Sequence, residues 1–400
     1  MVRFAHLADV HLGGWRDERL KALGFEAFEK AISRIVDESP DFVVIAGDLF
    51  NTALPSIDAV KLASVQLARL RSASIPVYFI AGSHDYSASG KTMLDVLEGA
   101  GLARNVQRAS YGESGSIVLE FTTDERTGVK LAGLPGKKGS LESQYYDVLD
   151  REAAMREPGT KVFLFHMLLA EFRRAKDEQI PASPSSVLPR GFAYYAGGHP
   201  HLVDHKRFAD GIIAYPGPLF PNSFEELEEL GAGGFYMVDL DADSVEWCKV
   251  LTRPVVAIER SFSGSPSDLE ELLRSDLDRE LAGSIVLVRV SGDLSAPVSE
   301  VDWAALERFS FERGAYAFAK NTYKLSSRTY ERVDVAVSHD RIESDIITEF
   351  SEKSPVSPVL GVDAFERLFS ALSASKHEGE TNADFERRVI ESFDAEFPIR

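Results

Sequence analysis

The chain has a single cysteine, Cys248, among 400 residues. One thiol excludes an intrachain disulfide framework and any cysteine-based metal site. Long apolar runs are missing too, and none reaches the roughly 18 residues that a membrane helix needs. The opening stretch, MVRFAHLADVHLGG, has no long apolar core and no small-residue cleavage site, so it reads as a first strand rather than a signal peptide. A cytoplasmic protein is the expectation. Excess positive charge is also lacking. The formal net charge is −19, which taken alone argues against nucleic-acid binding, because phosphate contacts need Lys and Arg. Much of that acid is clustered, in SFEELEEL (223–230) and SPSDLEELLRSDLDRE (265–280). Basic residues cluster as well: Lys137 with Lys138, Arg173 with Arg174, Lys206 with Arg207. A basic face on an acidic protein therefore stays open. Apolar residues are present in ordinary amount. At 44% hydrophobic and 27% charged, the chain can build two or three domains with sizeable cores.

Over residues 1–250 strand-like and helix-like segments alternate. VRFAHLAD (2–9), DFVVIAGD (41–48), IPVYFIAG (75–82), KVFLFHM (161–167) and AYYAGGHPH (193–201) are apolar runs of strand length. A helical stretch around 17–38 puts Phe28, Ala31, Ile32, Ile35 and Val36 on one face. Ser56 is placed to cap a second helix carrying Val60, Ala63, Leu67 and Leu70. Two hairpins are expected, one over 116–136 with DERTG at its turn and one over 201–217 with Ala-Asp-Gly. Strands alternating with helices imply an α/β fold whose sheet is largely parallel with antiparallel additions. Near Pro254 the pattern restarts in β-α-β-α-β order, which suggests a small α+β domain at about 253–345. SEKSPVSPVLG (351–361) reads as a linker. Within 362–400 two short amphipathic helices follow, one presenting Phe365, Leu368, Phe369 and Leu372, the other Phe385, Val389, Ile390, Phe393 and Phe397. Two such stripes cannot build a core of their own. They either pack back on the main body or dock in a partner's groove.

His and Asp fall in a pattern along these strands. Asp9 and His11 follow the first, Asp48 ends the second, His84 and Asp85 end the third, His166 ends FLFH, and His199 and His201 follow YYAGG. In a parallel sheet the C-terminal strand ends share one edge, so residues scattered in sequence converge. The D-x-H and H-x-H spacings place residues i and i+2 of an extended segment on the same side. His6 has the opposite parity and reads as structural, and His205, His339 and His377 have no ligand-spaced partner. Imidazole and carboxylate donors without cysteine suit Mn²⁺, Zn²⁺ or Fe²⁺. Seven such positions are too many for one ion and fit two, with Asp48 on the central strand as the bridging carboxylate.

The set D-x-H, G-D, G-x-H-D, H and G-H-x-H resembles the calcineurin-like metallophosphoesterase superfamily. Within it, FAHLADVHLG, VVIAGDLF, IPVYFIAGSHD and KTMLDVLEGAGL are similar to the Mre-eleven/SbcD family of double-strand-break-repair nucleases, of archaeal or prokaryotic type. The likeness covers about residues 1–240 strongly. It implies a metallophosphoesterase β-sandwich flanked by helices, a capping domain at 253–345, and a C-terminal helix-loop-helix that grips a Rad-fifty-type ABC ATPase. It also implies a homodimer that cuts DNA, as exonuclease and endonuclease, with two Mn²⁺ per chain. Residue by residue, Asp9, His11 and His201 would hold one ion, His166 and His199 the other, and Asp48 would bridge. His84 would stabilise the transition state or protonate the leaving oxygen, with Asp85 to orient it. Two positions depart from the family. Ser83 stands where relatives commonly have an asparagine that ligates the second metal, and its shorter hydroxyl leaves direct ligation, ligation through water, or none. Asn51 stands where several relatives have a further histidine near the substrate. Two other functions share parts of this pattern: a phosphatase or small-phosphodiester hydrolase, and a metal-poor scaffold that only carries DNA or the ATPase.

Overall fold

Five short apolar runs become the strands that carry the site: β1 (Arg3–Leu7), β2 (Phe42–Ala46), β3 (Val77–Ile80), β4 (Lys161–His166) and β5 (Tyr194–Gly198). They belong to a computed structural model that describes residues 2–327, apart from 88, 89, 113, 114, 138–140 and 210, together with helical positions 385, 387, 388 and 390. The tail of the expected small domain beyond 327, the linker at 351–361 and the rest of the helix-loop-helix at 362–400 lie outside the described residues. So does Lys138.

The five strands are buried almost throughout, as strands covered on both faces must be. They do not share one sheet, which corrects the single largely parallel sheet expected above. β1, β2 and β3 run parallel in a six-stranded sheet. Gly233–Asp239 lies antiparallel beside β1, with Ser244–Val250 beyond it, and Arg104–Asn105 lies beside β3. β4 and β5 run parallel in a second six-stranded sheet, between Lys130–Gly133 and Gly211–Pro216. The two sheets face each other across one apolar layer. Phe4, Phe42, Val44 and Tyr78 meet Leu131, Val162, Leu164, Tyr194 and Ala214 there. Each large side chain so buried contributes about 1.5–3 kcal/mol. The architecture is a β-sandwich.

Helices flank it. The helix α1 (Glu18–Glu38) starts at Asp17, whose carboxylate accepts the N–H groups of Arg19 and Leu20. The helix α2 (Ile57–Ser72) starts at Ser56, whose hydroxyl accepts from the Ala59 N–H. Their buried faces, with Phe28, Ile32, Ile35, Leu67 and Leu70, cover the outside of the first sheet. Of the two expected hairpins, Val203–Phe208 with Gly211–Pro216 forms as read. The other is shorter. Thr122–Thr123 pairs with Lys130–Gly133, while Ile117–Leu119 turns away to pair with Ala109–Tyr111. Ile117 and Leu119 bury in the cluster outside the second sheet, which draws that segment off the hairpin.

Further along, Val255–Gly264, Ile285–Leu294 and Ala317–Ser327 form a three-stranded sheet with Ile285–Leu294 at its centre. The helices Pro266–Leu277 and Trp303–Glu312 pack on it through Leu269, Leu273, Leu277 and Leu306. No described helix is long and apolar enough to cross a membrane.

Candidate metal centre

Where β1 to β5 end, the chain turns polar, and the turns are tight. The expected extended D-x-H and H-x-H segments are not extended. Asp9, His11, Asp48, His199 and His201 have φ of 50°, 46°, 51°, 99° and 46°, and they make up five of the nine non-glycine residues with positive φ among the described residues. Asp and His tolerate this region better than most residues, yet it remains uncommon. The loops after β1 and β2 run side by side, with the Asp9, His11 and Leu12 N–H groups donating to the carbonyls of Gly47, Asp48 and Leu49. Side chains therefore reach inward through stitched turns, not through strand alternation. Gly198 makes this packing possible, since a Cβ there would meet the Ala46 carbonyl and the His166 ring.

Asp48 stands at the middle. Its Oδ1 accepts the His84 N–H at 2.8 Å. Its Oδ2 faces His166 Nε2 at 3.2 Å, Ser83 Oγ at 3.5 Å and His11 Nε2 at 3.7 Å. Asp9 accepts the His199 N–H on both oxygens, at 3.0 and 3.1 Å, and its Oδ1 lies 3.8 Å from His201 Nε2 and 4.0 Å from His166 Nδ1. The Nε2 atoms of His11 and His201 are 2.9 Å apart. Three trios of donor atoms lie within 4.8 Å of one another: Asp9, His11 and His201; His11, Asp48 and His84; Asp9, Asp48 and His166. His199 is in none of them, but its ring stands 5.3 Å from that of His166. Ser83 is buried, and its hydroxyl faces Asp48.

Three rings are set by a partner on Nδ1. His166 Nδ1 donates to the Ala46 carbonyl at 2.8 Å, and His84 Nδ1 to the Asn51 carbonyl at 2.9 Å. A carbonyl can only accept, so Nδ1 carries the proton and Nε2 is the nitrogen left to the centre. His201 Nδ1 meets Glu226 Oε1 at 3.0 Å, a carboxylate–histidine pair of the kind that orients metal ligands. His84 is thus held by a backbone carbonyl and not by Asp85, which corrects the expected orienting role. Asp85 is buried and joins two loops, accepting the Phe50 N–H at 3.1 Å and the Gly82 N–H at 2.9 Å.

Sequence reasoning missed Glu226. It sits on the helix Phe224–Leu230, within an acidic run that looks like a solvated face, and it accepts the Asn222 N–H at 2.8 Å. Nothing in its neighbours marks it. Asn222 in turn donates to Asn51 Oδ1 at 3.2 Å, tying this corner to the loop after β2.

Burial dominates the electrostatics. It pushes the Asp9 carboxyl up. It would raise Asp48 as well, but His166, His11 and His84 override it and hold that carboxyl well below the usual range. Burial lowers His11 to about 3, helped by His201, and lowers His199 to about 4. Burial also opposes charge on His166 and His201, yet Asp48 and Asp9 raise His166 to about 10, and Asp9 and Glu226 raise His201 to about 9. The two buried carboxylates thus favour the charged form of the His166 and His201 rings. A divalent cation meets the same need from the same converging oxygens and Nε2 atoms. With no sulfur among the donors, the set suits Mn²⁺, Zn²⁺ or Fe²⁺.

The chain is similar in sequence to known proteins. The calcineurin-like phosphoesterase family matches residues 2–202. The chain is 31% identical to the DNA double-strand break repair protein Mre11 of Methanopyrus kandleri, over 76% of this chain and 68% of that one. It is 33% identical to Mre11 of Aeropyrum pernix, over 70% and 69%. It is 29% identical to Mre11 of Methanococcus maripaludis, over 60% and 64%. The matched stretch spans about two thirds of the length of these curated relatives. The chain belongs to the Mre11 family of calcineurin-like phosphoesterases and is a metal-dependent phosphodiester hydrolase.

Proposed function

We propose that the protein is a two-metal, Mn²⁺-dependent nuclease that hydrolyses DNA at ends during double-strand-break repair. The observation that carries this reading is the division of labour on Asp48. With Oδ1 engaged by the His84 N–H, Oδ2 is the oxygen directed at both the His11 and the His166 sides of the centre. One carboxylate oxygen shared between two donor groups is what a bridging ligand requires. Asp9, His11 and His201 would hold one ion, and His166 and His199 the other, with Ser83 beside it. Bound there, the ions would supply Lewis-acid stabilisation of charge on a phosphodiester and a lowered pKa for an attacking water.

The chain's own groups do the rest. His84, fixed through Nδ1, turns Nε2 to the centre, placed to give a proton to the leaving oxygen or to stabilise the charge that develops there. Asp85 is a positioning residue, holding the loop that carries His84 against the loop that carries Asp48. Glu226 keeps the His201 ring turned inward. In this reading the protein works in the cytoplasm as a homodimer, with a Rad50-type ATPase bound through residues 362–400. The relatives' names support the DNA substrate.

The test is cleavage of duplex DNA with free ends in Mn²⁺, with Asp48→Ala beside the wild type. Equal cleavage by the two proteins would sink the proposal. Hydrolysis of small phosphodiesters with no cutting of DNA would move the protein to the small-substrate hydrolases. Fewer than two tightly held ions per chain would remove the two-metal mechanism.

A further inference from the structure

A cleft of about 640 Å³ shares Ser83 with the metal centre, and the hydrolytic mechanism makes no use of the rest of it. Its other walls include Tyr86, Lys137, Leu141 and Tyr145. The Lys137 ammonium lies over the face of the Tyr145 ring, 4.5 Å from its centre, so that a base reaches this face as Lys137 swings out to a phosphate. The Tyr86 hydroxyl accepts from Gln107 Nε2 at 2.7 Å, which fixes that ring from behind. Leu141 is 53% exposed. The loop carrying Lys137 is tied to the centre. The Gly136 N–H donates to the Ala81 carbonyl at 3.0 Å, two residues before Ser83, and a Cβ on Gly136 would strike the His166 ring. The Lys137 N–H is held by Glu142 at 3.2 Å. Two aromatic rings, an exposed leucine and a cation thus stand on the rim of a phosphodiester-cleaving centre.

The chemistry of that rim selects its ligand. A flat aromatic face accepts any nucleobase, and a lysine beside it answers the next phosphate. A concave cleft admits a base only when it is splayed out of a duplex. We propose that this cleft receives the nucleobase next to the scissile phosphodiester in an unpaired strand, stacked on Tyr145, with Lys137 on the neighbouring phosphate. The proposal rests on the nuclease reading above and adds to it the form of strand and the group recognised.

The experiment compares single-stranded oligonucleotides that carry either a base or an abasic site at the nucleotide adjoining the cut, in Mn²⁺, by kcat/KM. The wild type should prefer the base-bearing strand by about tenfold or more, as expected when one base stacks on one ring. Tyr145→Ala should bring that ratio close to one, and Tyr145→Phe should restore it. Lys137→Gln should raise KM on both strands and flatten the salt dependence. Equal cleavage of the two strands by the wild type, or a preference that survives Tyr145→Ala, would overturn the cleft assignment and leave the nuclease reading standing. Should Tyr145→Ala fail to fold, the wild-type ratio decides alone. No cleavage of either strand by the wild type, with duplex ends also left uncut, would overturn both.

Discussion

Several residues support the centre from behind its donor side chains. Glu226 acts through His201, and the Asn51 carbonyl acts through His84. Replacing such an outer partner commonly weakens metal binding 10- to 100-fold. Glu226→Ala is therefore expected to lower Mn²⁺ affinity by about that factor while the fold is kept, as titration calorimetry and circular dichroism would read. Unchanged affinity would remove Glu226 from this role. Ser83→Asn tests the neighbouring position. A longer carboxamide in place of the hydroxyl should lower the Mn²⁺ concentration needed for half-maximal cleavage, and no change would mean that position 83 is not a ligand in either form. His6 makes a third case. It is fully buried, its Nδ1 meets the Tyr194 hydroxyl at 2.9 Å, and burial lowers its pKa to about 3. Its free value is near 6.5, so the unfolded chain takes up the proton first as pH falls. The stability contributed by neutral His6 is present above about pH 6.5 and is lost as pH drops toward 3, at up to about 1.4 kcal/mol per pH unit. His11 and His199 share this behaviour, so the contribution of His6 is the difference in acid sensitivity between wild type and His6→Gln in urea titrations.

Elements position these residues by close approach. The end of β5 runs so near the end of β2 that only glycine fits at 198. Gly198→Ala is expected to destabilise the fold by about 1–3 kcal/mol through overpacking and to displace His166, so both the urea midpoint and metal affinity should fall. A loss of stability with metal binding intact would show that the strain is absorbed elsewhere. Much of this layout was readable in advance. Asp9, Asp48, His84, His166 and His199 each follow an apolar run, and α1 and α2 announced themselves through apolar spacing and their Asp17 and Ser56 caps. Membership of two sheets was not readable from the apolar pattern, because β1–β3 and β4–β5 carry the same signature; only the family resemblance implied the sandwich. Their assignment depends on partners such as His166 and Ala46, which are 120 residues apart. Glu226 was hidden for a similar reason: its role comes from a fold contact with His201, while its neighbours are ordinary surface acid. The turns at Asp9 and His11 escaped because the D-x-H spacing is compatible with both extended and left-handed backbone.

For the molecule as a whole, the −19 charge bears on how it meets DNA. Several basic residues are already neutralised. Arg174 pairs with Asp177 and Glu229, Lys176 with Glu229, Lys206 with Asp204, and Arg207 with Asp243. Those four cations are then less available to displace counterions from a strand. For the full chain binding a single-stranded oligonucleotide, the slope of log affinity against log salt should be no steeper than about −3, in keeping with about four phosphates neutralised. A steeper slope in fluorescence anisotropy would mean that these ion pairs open on binding.

The left-handed backbone at Asp9, His11, Asp48, His199 and His201 also has a bearing on preorganisation. Residues outside glycine held in sparsely populated φ/ψ regions cost of the order of 1–3 kcal/mol each. Glycine at any of the five would relieve that burden at once. This chain keeps aspartate or histidine at all five positions, even with serine at 83. Strain held at five ligand-type residues fixes the directions of their side chains before any ion arrives.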